Sequence, residues 1–135
     1  MRTRALLALA TGLALAGGAF AQPACPAAAD VAQQHLLGLW RAEFEDGGAG
    51  ATLLLEPHPE YAQSLRGAIN RNGERALLAG DADGGEFTLE ESENGVDISA
   101  VWLGDVVEGS CGREIRGTWK APRDQRTRIF VLRKR

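Results

Sequence analysis

The chain has 135 residues, 15 basic against 18 acidic side chains, a formal net charge of −3 and 17 glycines. That length allows one domain with one core and excludes two, and the acidic balance argues against bulk nucleic-acid binding. The charge is unevenly distributed. Residues 43–108 hold 15 acidic residues against Arg66, Arg71 and Arg75, a net −12, whereas residues 113–135 hold nine basic residues against Glu114 and Asp124, a net +7. If strands from the two parts are neighbours, cross-strand charge pairs follow. The other reading is a basic face that meets an anionic partner.

Residues 1–21 carry the pattern of a secretory signal peptide. Arg2 and Arg4 open it, an apolar run of Ala, Leu and Gly follows, and Ala19-Phe20-Ala21 places small residues at the positions read by a signal peptidase. The apolar run is too short for a membrane-spanning helix, which needs about 20 residues. The expected location is therefore the periplasm or the exterior, with no membrane span after cleavage. Residues 22–36 form an N-terminal arm and residues 37–135 a single β domain. Without the signal the charge becomes −5, with 13 basic and 18 acidic side chains.

Within the arm, residues 27–37 predict two or three helical turns that lead into the first strand. From there on, apolar residues alternate with polar ones, the period of a strand. Trp40, Ala42 and Phe44 share one face of the first strand, and residues 52–56 make a second that Pro57 and Pro59 stop. A third covers residues 63–71, with Leu65, Gly67 and Ile69 facing inward. Asn72-Gly73 favours a two-residue type I′ turn, so residues 75–80 pair back as a fourth. Phe87 and Leu89 mark a fifth strand, and Asn94-Gly95 predicts a second tight hairpin into a sixth over residues 96–102. The seventh alternates through Ile115, Gly117 and Trp119, and the eighth covers residues 127–133.

Eight short strands joined mostly by tight turns, several with internal glycines, predict an all-β fold, a single eight-stranded antiparallel up-and-down barrel with a short helical lead-in. A two-sheet β-sandwich is the alternative. Cys25 and Cys111 are the only cysteines, and an oxidising compartment makes a disulfide between them the expectation.

Gly38-Leu39-Trp40, preceded by the lead-in, resembles the G-x-W opening of the small calycin-type barrels: lipocalins, avidins and bacterial metalloprotease inhibitors. The resemblance implies that an Arg from the last strand, Arg128 or Arg133, packs across Trp40. It transfers no biotin site, because Arg41-Ala42-Glu43-Phe44-Glu45 follows the Trp where an avidin has Asn and Ser.

No paired acid, nucleophile or metal-spaced histidine stands out, so the expectation is a non-enzymatic protein without cofactor or metal. The Glu90-Glu91 and Glu93 cluster reads as solvated surface. Trp40, Phe87, Trp102 and Trp119 lie on the apolar faces of their strands and are the candidate lining for a small, partly apolar ligand in the barrel mouth. The alternative is a protein-binding module, such as an inhibitor of a periplasmic or secreted hydrolase, that uses its arm or loops.

Overall fold

The computed structural model describes residues 11–14, 17 and 25–135. Apart from residues 11–14 and 17, the stretch read as a signal peptide lies outside the described residues. Eight strands follow in order: β1 (Gly38–Phe44), β2 (Ala51–Pro57), β3 (Ser64–Arg71), β4 (Glu74–Asp83), β5 (Glu86–Ser92), β6 (Ala100–Val106), β7 (Glu114–Ala121) and β8 (Arg126–Lys134). Each pairs antiparallel with the next, and β8 returns to β1 from Trp40↔Lys134 to Phe44↔Phe130, which closes the barrel. The sandwich alternative is excluded by that last pairing.

The alternation seen in the sequence becomes the two faces of the wall. Leu53 and Leu55, Leu65 and Ile69, Phe87 and Leu89, and Phe130 and Leu132 point inward and are buried, while most of their neighbours are more exposed; Val131 on the outer side of β8 is the buried exception. Asn72 and Gly73 both have positive φ, 50° and 92°, as the expected type I′ turn requires. The strand glycines sit where neighbouring backbones approach closely. A Cβ on Gly117 would run into the Leu103 carbonyl oxygen of β6, and its direct partner there is Gly104. No larger residue fits that close approach without backbone movement.

Two elements differ from expectation. The lead-in is not one helix but a single 3-10 turn (Ala28–Asp30) and a four-residue α1 (Gln33–Leu36), separated by extended backbone at Val31 and Ala32. Val31 is buried, and straightening the segment into one helix would lift it from the core. Residues 96–99 are not strand either, and β6 starts at Ala100 and runs on to Val106. The reason is local: the Asn94 side-chain oxygen accepts the amides of Val96 and Asp97, both at 2.8 Å, holding a loop where a hairpin turn was expected.

Cys25 and Cys111 form the expected disulfide, tying the lead-in to the turn before β7 across 86 residues. Among the described residues no helix is long and apolar enough to cross a membrane. Reduction of the bridge is expected to lower unfolding free energy by roughly 3–5 kcal/mol, and Gly117→Ala by about 1–3 kcal/mol through overpacking. Urea denaturation of oxidised, reduced and substituted protein measures both.

Candidate functional site: the barrel ends and the outer face

The lead-in caps one end of the barrel. Val31 and Leu36 are buried in the core, and the Leu36 carbonyl accepts a hydrogen bond from Trp40 Nε1 at 2.8 Å. Lys134, at the end of β8, donates from Nζ to the His35 carbonyl at 2.7 Å and lies 6.0 Å from the centre of the Trp40 ring. Lys134 therefore occupies the place over Trp40 that the calycin resemblance implied for Arg128 or Arg133. Burial pushes its pKa down, with the nearby charge of Arg113 acting in the same direction. Phe87, the second residue of β5, is packed toward this end.

The opposite end is built differently. Trp102 and Trp119 are direct partners across β6 and β7, and both indole N–H groups donate to Oε1 of Glu91, at 2.7 and 3.2 Å. Arg71 donates to Glu91 Oε2 at 2.9 Å and, through its second nitrogen, to Oε1. Glu91 is only 2% exposed, so its carboxylate is a buried charge held by a guanidinium and two indoles. Phe44 packs on Trp102 and Trp119, with ring centres 5.8 and 6.1 Å away. The Arg128 guanidinium lies 3.7 Å from the Phe44 ring centre and 5.8 Å from that of Trp119, while Arg71 lies 5.6 Å from Trp119. Asp46 holds Arg128 with bonds of 2.6 and 2.9 Å, and this pairing, helped by the Gly48 amide, keeps the Asp46 carboxyl well below the usual carboxylate range.

The four candidate ligand residues therefore fall into two groups. Trp40 and Phe87 lie toward the capped end, and Trp102 and Trp119 lie at the other. Trp40 and Trp102 expose no surface and Phe87 only 1%, so no water-sized space touches them; Trp119 is 9% exposed. The aromatic side chains fill the interior. Glu91, read in the sequence as solvated, is a correction: it lies in phase with Phe87 and Leu89 on the inward face of β5. Arg71 is likewise in phase with Leu65 and Ile69 on β3. That shared phase was the available signal.

Among the described residues no group of three or more His, Cys, Asp or Glu side chains is arranged to hold a metal. The basic β8 meets the acidic part as the charge split suggested, since Arg133 bonds Glu43 of β1 at 3.1 Å and Arg128 bonds Asp46, while the Arg133–Glu114 pair at 3.1 Å lies within the basic segment itself.

The outer face of β1 to β4 carries an apolar rung across the wall. Leu39 pairs with Leu54, Leu54 with Ala68 and Ala68 with Leu77. Leu39, Leu54 and Leu77 are 49%, 38% and 52% exposed. The loop of residues 93–99 extends this stripe with Val96 and Ile98 and overhangs a groove of about 520 Å³ between itself and β2 to β5. One step toward the capped end the next outward rung runs Glu56, Arg66, Ala79, Glu90; one step the other way it runs Thr52, Asn70, Arg75.

No protein-family model and no curated protein matches the chain.

Removal of the guanidinium in Arg71→Met strands the Glu91 charge on two indoles and is expected to cost about 3–5 kcal/mol. The double variant Arg71→Met with Glu91→Gln should recover most of that loss, because the amide oxygen still accepts from the indoles; denaturant midpoints at neutral pH test this. For Asp46 the depressed folded-state pKa means stabilisation present above the unfolded value of 3.8 and lost as pH falls toward the folded value. The stability gap between the wild type and Asp46→Asn should accordingly be widest at neutral pH and shrink below about pH 4.

Proposed function

We propose that this chain is an exported, non-enzymatic β-barrel that acts as a protein-binding module through its outer face. The observation that carries the reading is the contrast between a filled interior and an exposed apolar groove under the loop of residues 93–99. Monomer surfaces usually scatter their apolar residues, and a contiguous stripe rimmed by charge is the pattern of an interaction site. Export is supported by the signal-like residues 1–21 and by a disulfide, which persists in oxidising compartments such as the periplasm or the exterior. The closed barrel and its Gly38-Leu39-Trp40 opening are in keeping with a calycin-type fold.

Within the binding class, a hydrolase inhibitor remains the example the sequence suggested. Its contact would come from the wall and loops, since residues 25–36 are committed to the barrel through Val31, Leu36 and the disulfide. A small apolar ligand between the aromatic residues would have to displace side chains that are already buried against one another. The buried Glu91 carboxylate, already accepting from Arg71 and two indoles, is not free to act as a base.

A photoreactive residue at position 77 is expected to cross-link protein from exported fractions, while one at Thr118 on the opposite wall is not. Equal labelling from both positions, or none from position 77, would remove the groove as the contact. Intrinsic Trp fluorescence is expected to stay unchanged across a panel of apolar ligands. A saturable change abolished by Trp102→Phe would overturn the protein-binding reading in favour of a small-molecule carrier.

A further inference from the structure

We propose that the occupant of this outer face is a second copy of the chain, seated face to face with a two-fold axis running along the apolar rung. The inference rests on the protein-binding reading of the groove and names its partner. Symmetry makes the requirement strict: in such a pair the rung lies on itself, and whatever stands on one side of it meets what stands on the other. The apolar residues satisfy the first condition around β4, because Leu54, Leu77, Val96 and Ile98 line one groove, while Leu39, three strands from Leu77 around the closed wall, lies at its margin.

The charges satisfy the second. Arg75 of β4 lies two residues before Leu77, and Glu90 of β5 pairs with Ala79, two residues after it. The two are thus offset by equal steps, about 7 Å, to opposite sides of the rung. Both are exposed, and neither takes part in an ion pair among the described residues. On the same rung as Glu90, Glu56 and Arg66 pair with each other at 3.7 Å, which leaves Glu90 as the uncompensated charge. The rung of Arg75 otherwise presents the neutral Thr52 and Asn70, with the half-buried Arg41 of β1 at its far end. A two-fold along the leucine line brings Arg75 of each copy beside Glu90 of the other, so that each contact is made twice. The same operation sets the two barrels antiparallel, with the capped ends pointing away from each other.

Sedimentation equilibrium on the protein with its Cys25–Cys111 bridge intact tests the proposal. The expected result is a concentration-dependent dimer. Leu77→Glu should abolish it, and Arg75→Glu or Glu90→Arg should each raise the dissociation constant about tenfold, because every substitution replaces two symmetric ion pairs by two like-charge contacts. The charge swap Arg75→Glu with Glu90→Arg should restore dimerisation to within about threefold of the wild type. All four changes are at exposed positions, and circular dichroism with thermal melting verifies that each variant folds. A monomer at all concentrations, or a charge swap no better than the single changes, overturns the proposal. If the protein is monomeric yet position 77 still cross-links a different exported protein, the self-association falls and the protein-binding reading stands; if position 77 labels nothing, both fall.

Discussion

Closure of β8 on β1 is the constraint on which the rest of the structure depends. An eight-stranded barrel has an interior just wide enough to be filled by its own side chains, so closure fixes how much volume the inward residues must supply. Here Trp40, Trp102, Phe87 and Phe130 supply the bulk, and leucines and isoleucines complete it. Closure also abolishes sheet edges, so the wall offers no free strand for a partner to extend. Any contact must be made by side chains on the outer face or by loops.

The two ends solve the same sealing problem with different chemistry. At one, a disulfide-anchored lead-in lays Val31 and Leu36 over the opening, and backbone carbonyls take up the polar atoms of Trp40 and Lys134. At the other, among the described residues, side chains of the strands themselves form the seal. Two indoles placed side by side leave two N–H donors facing inward, and a buried donor without a partner is expensive. Glu91 accepts both, and Arg71 then balances the charge that Glu91 brings. The ionic pair thus answers the placing of two tryptophans as partners in one rung. Arg128, aligned by Asp46, places its guanidinium over the Phe44 ring.

The sequence pattern was legible wherever burial alone decided the outcome. Alternation located seven of the strands and the barrel they close, and overlapped the sixth only at residues 100–102, because inward and outward positions differ in polarity along nearly every strand. It failed where a side chain competed with the backbone or where tertiary context reversed a local preference. Asn94 captured two amides and turned an expected hairpin into a loop; Val31 broke a helical lead-in to reach the core. Glu91 and Arg71 carry charge at inward positions, so polarity misplaced Glu91, and only its phase with Phe87 and Leu89 pointed inward. The outer rung was hidden for another reason: Leu39, Leu54, Ala68 and Leu77 belong to four strands, and only the register aligns them.

The order of the strands has a consequence for how the molecule reaches its native state. Seven of the eight pairings join consecutive strands and need only local chain closure, but β1 and β8 meet over sequence separations of 86 to 94 residues. Contacts of that range are slow to form, because loop entropy is lost before they contribute anything. Until β8 meets β1, each is an open edge of a ribbon whose inward face is not yet enclosed. That unclosed ribbon is therefore the species most exposed to aggregation. The bridge from Cys25 to Cys111 shortens the search, since once formed it holds the segment entering β1 beside the turn entering β7, and so keeps the β7–β8 hairpin within reach of its last partner.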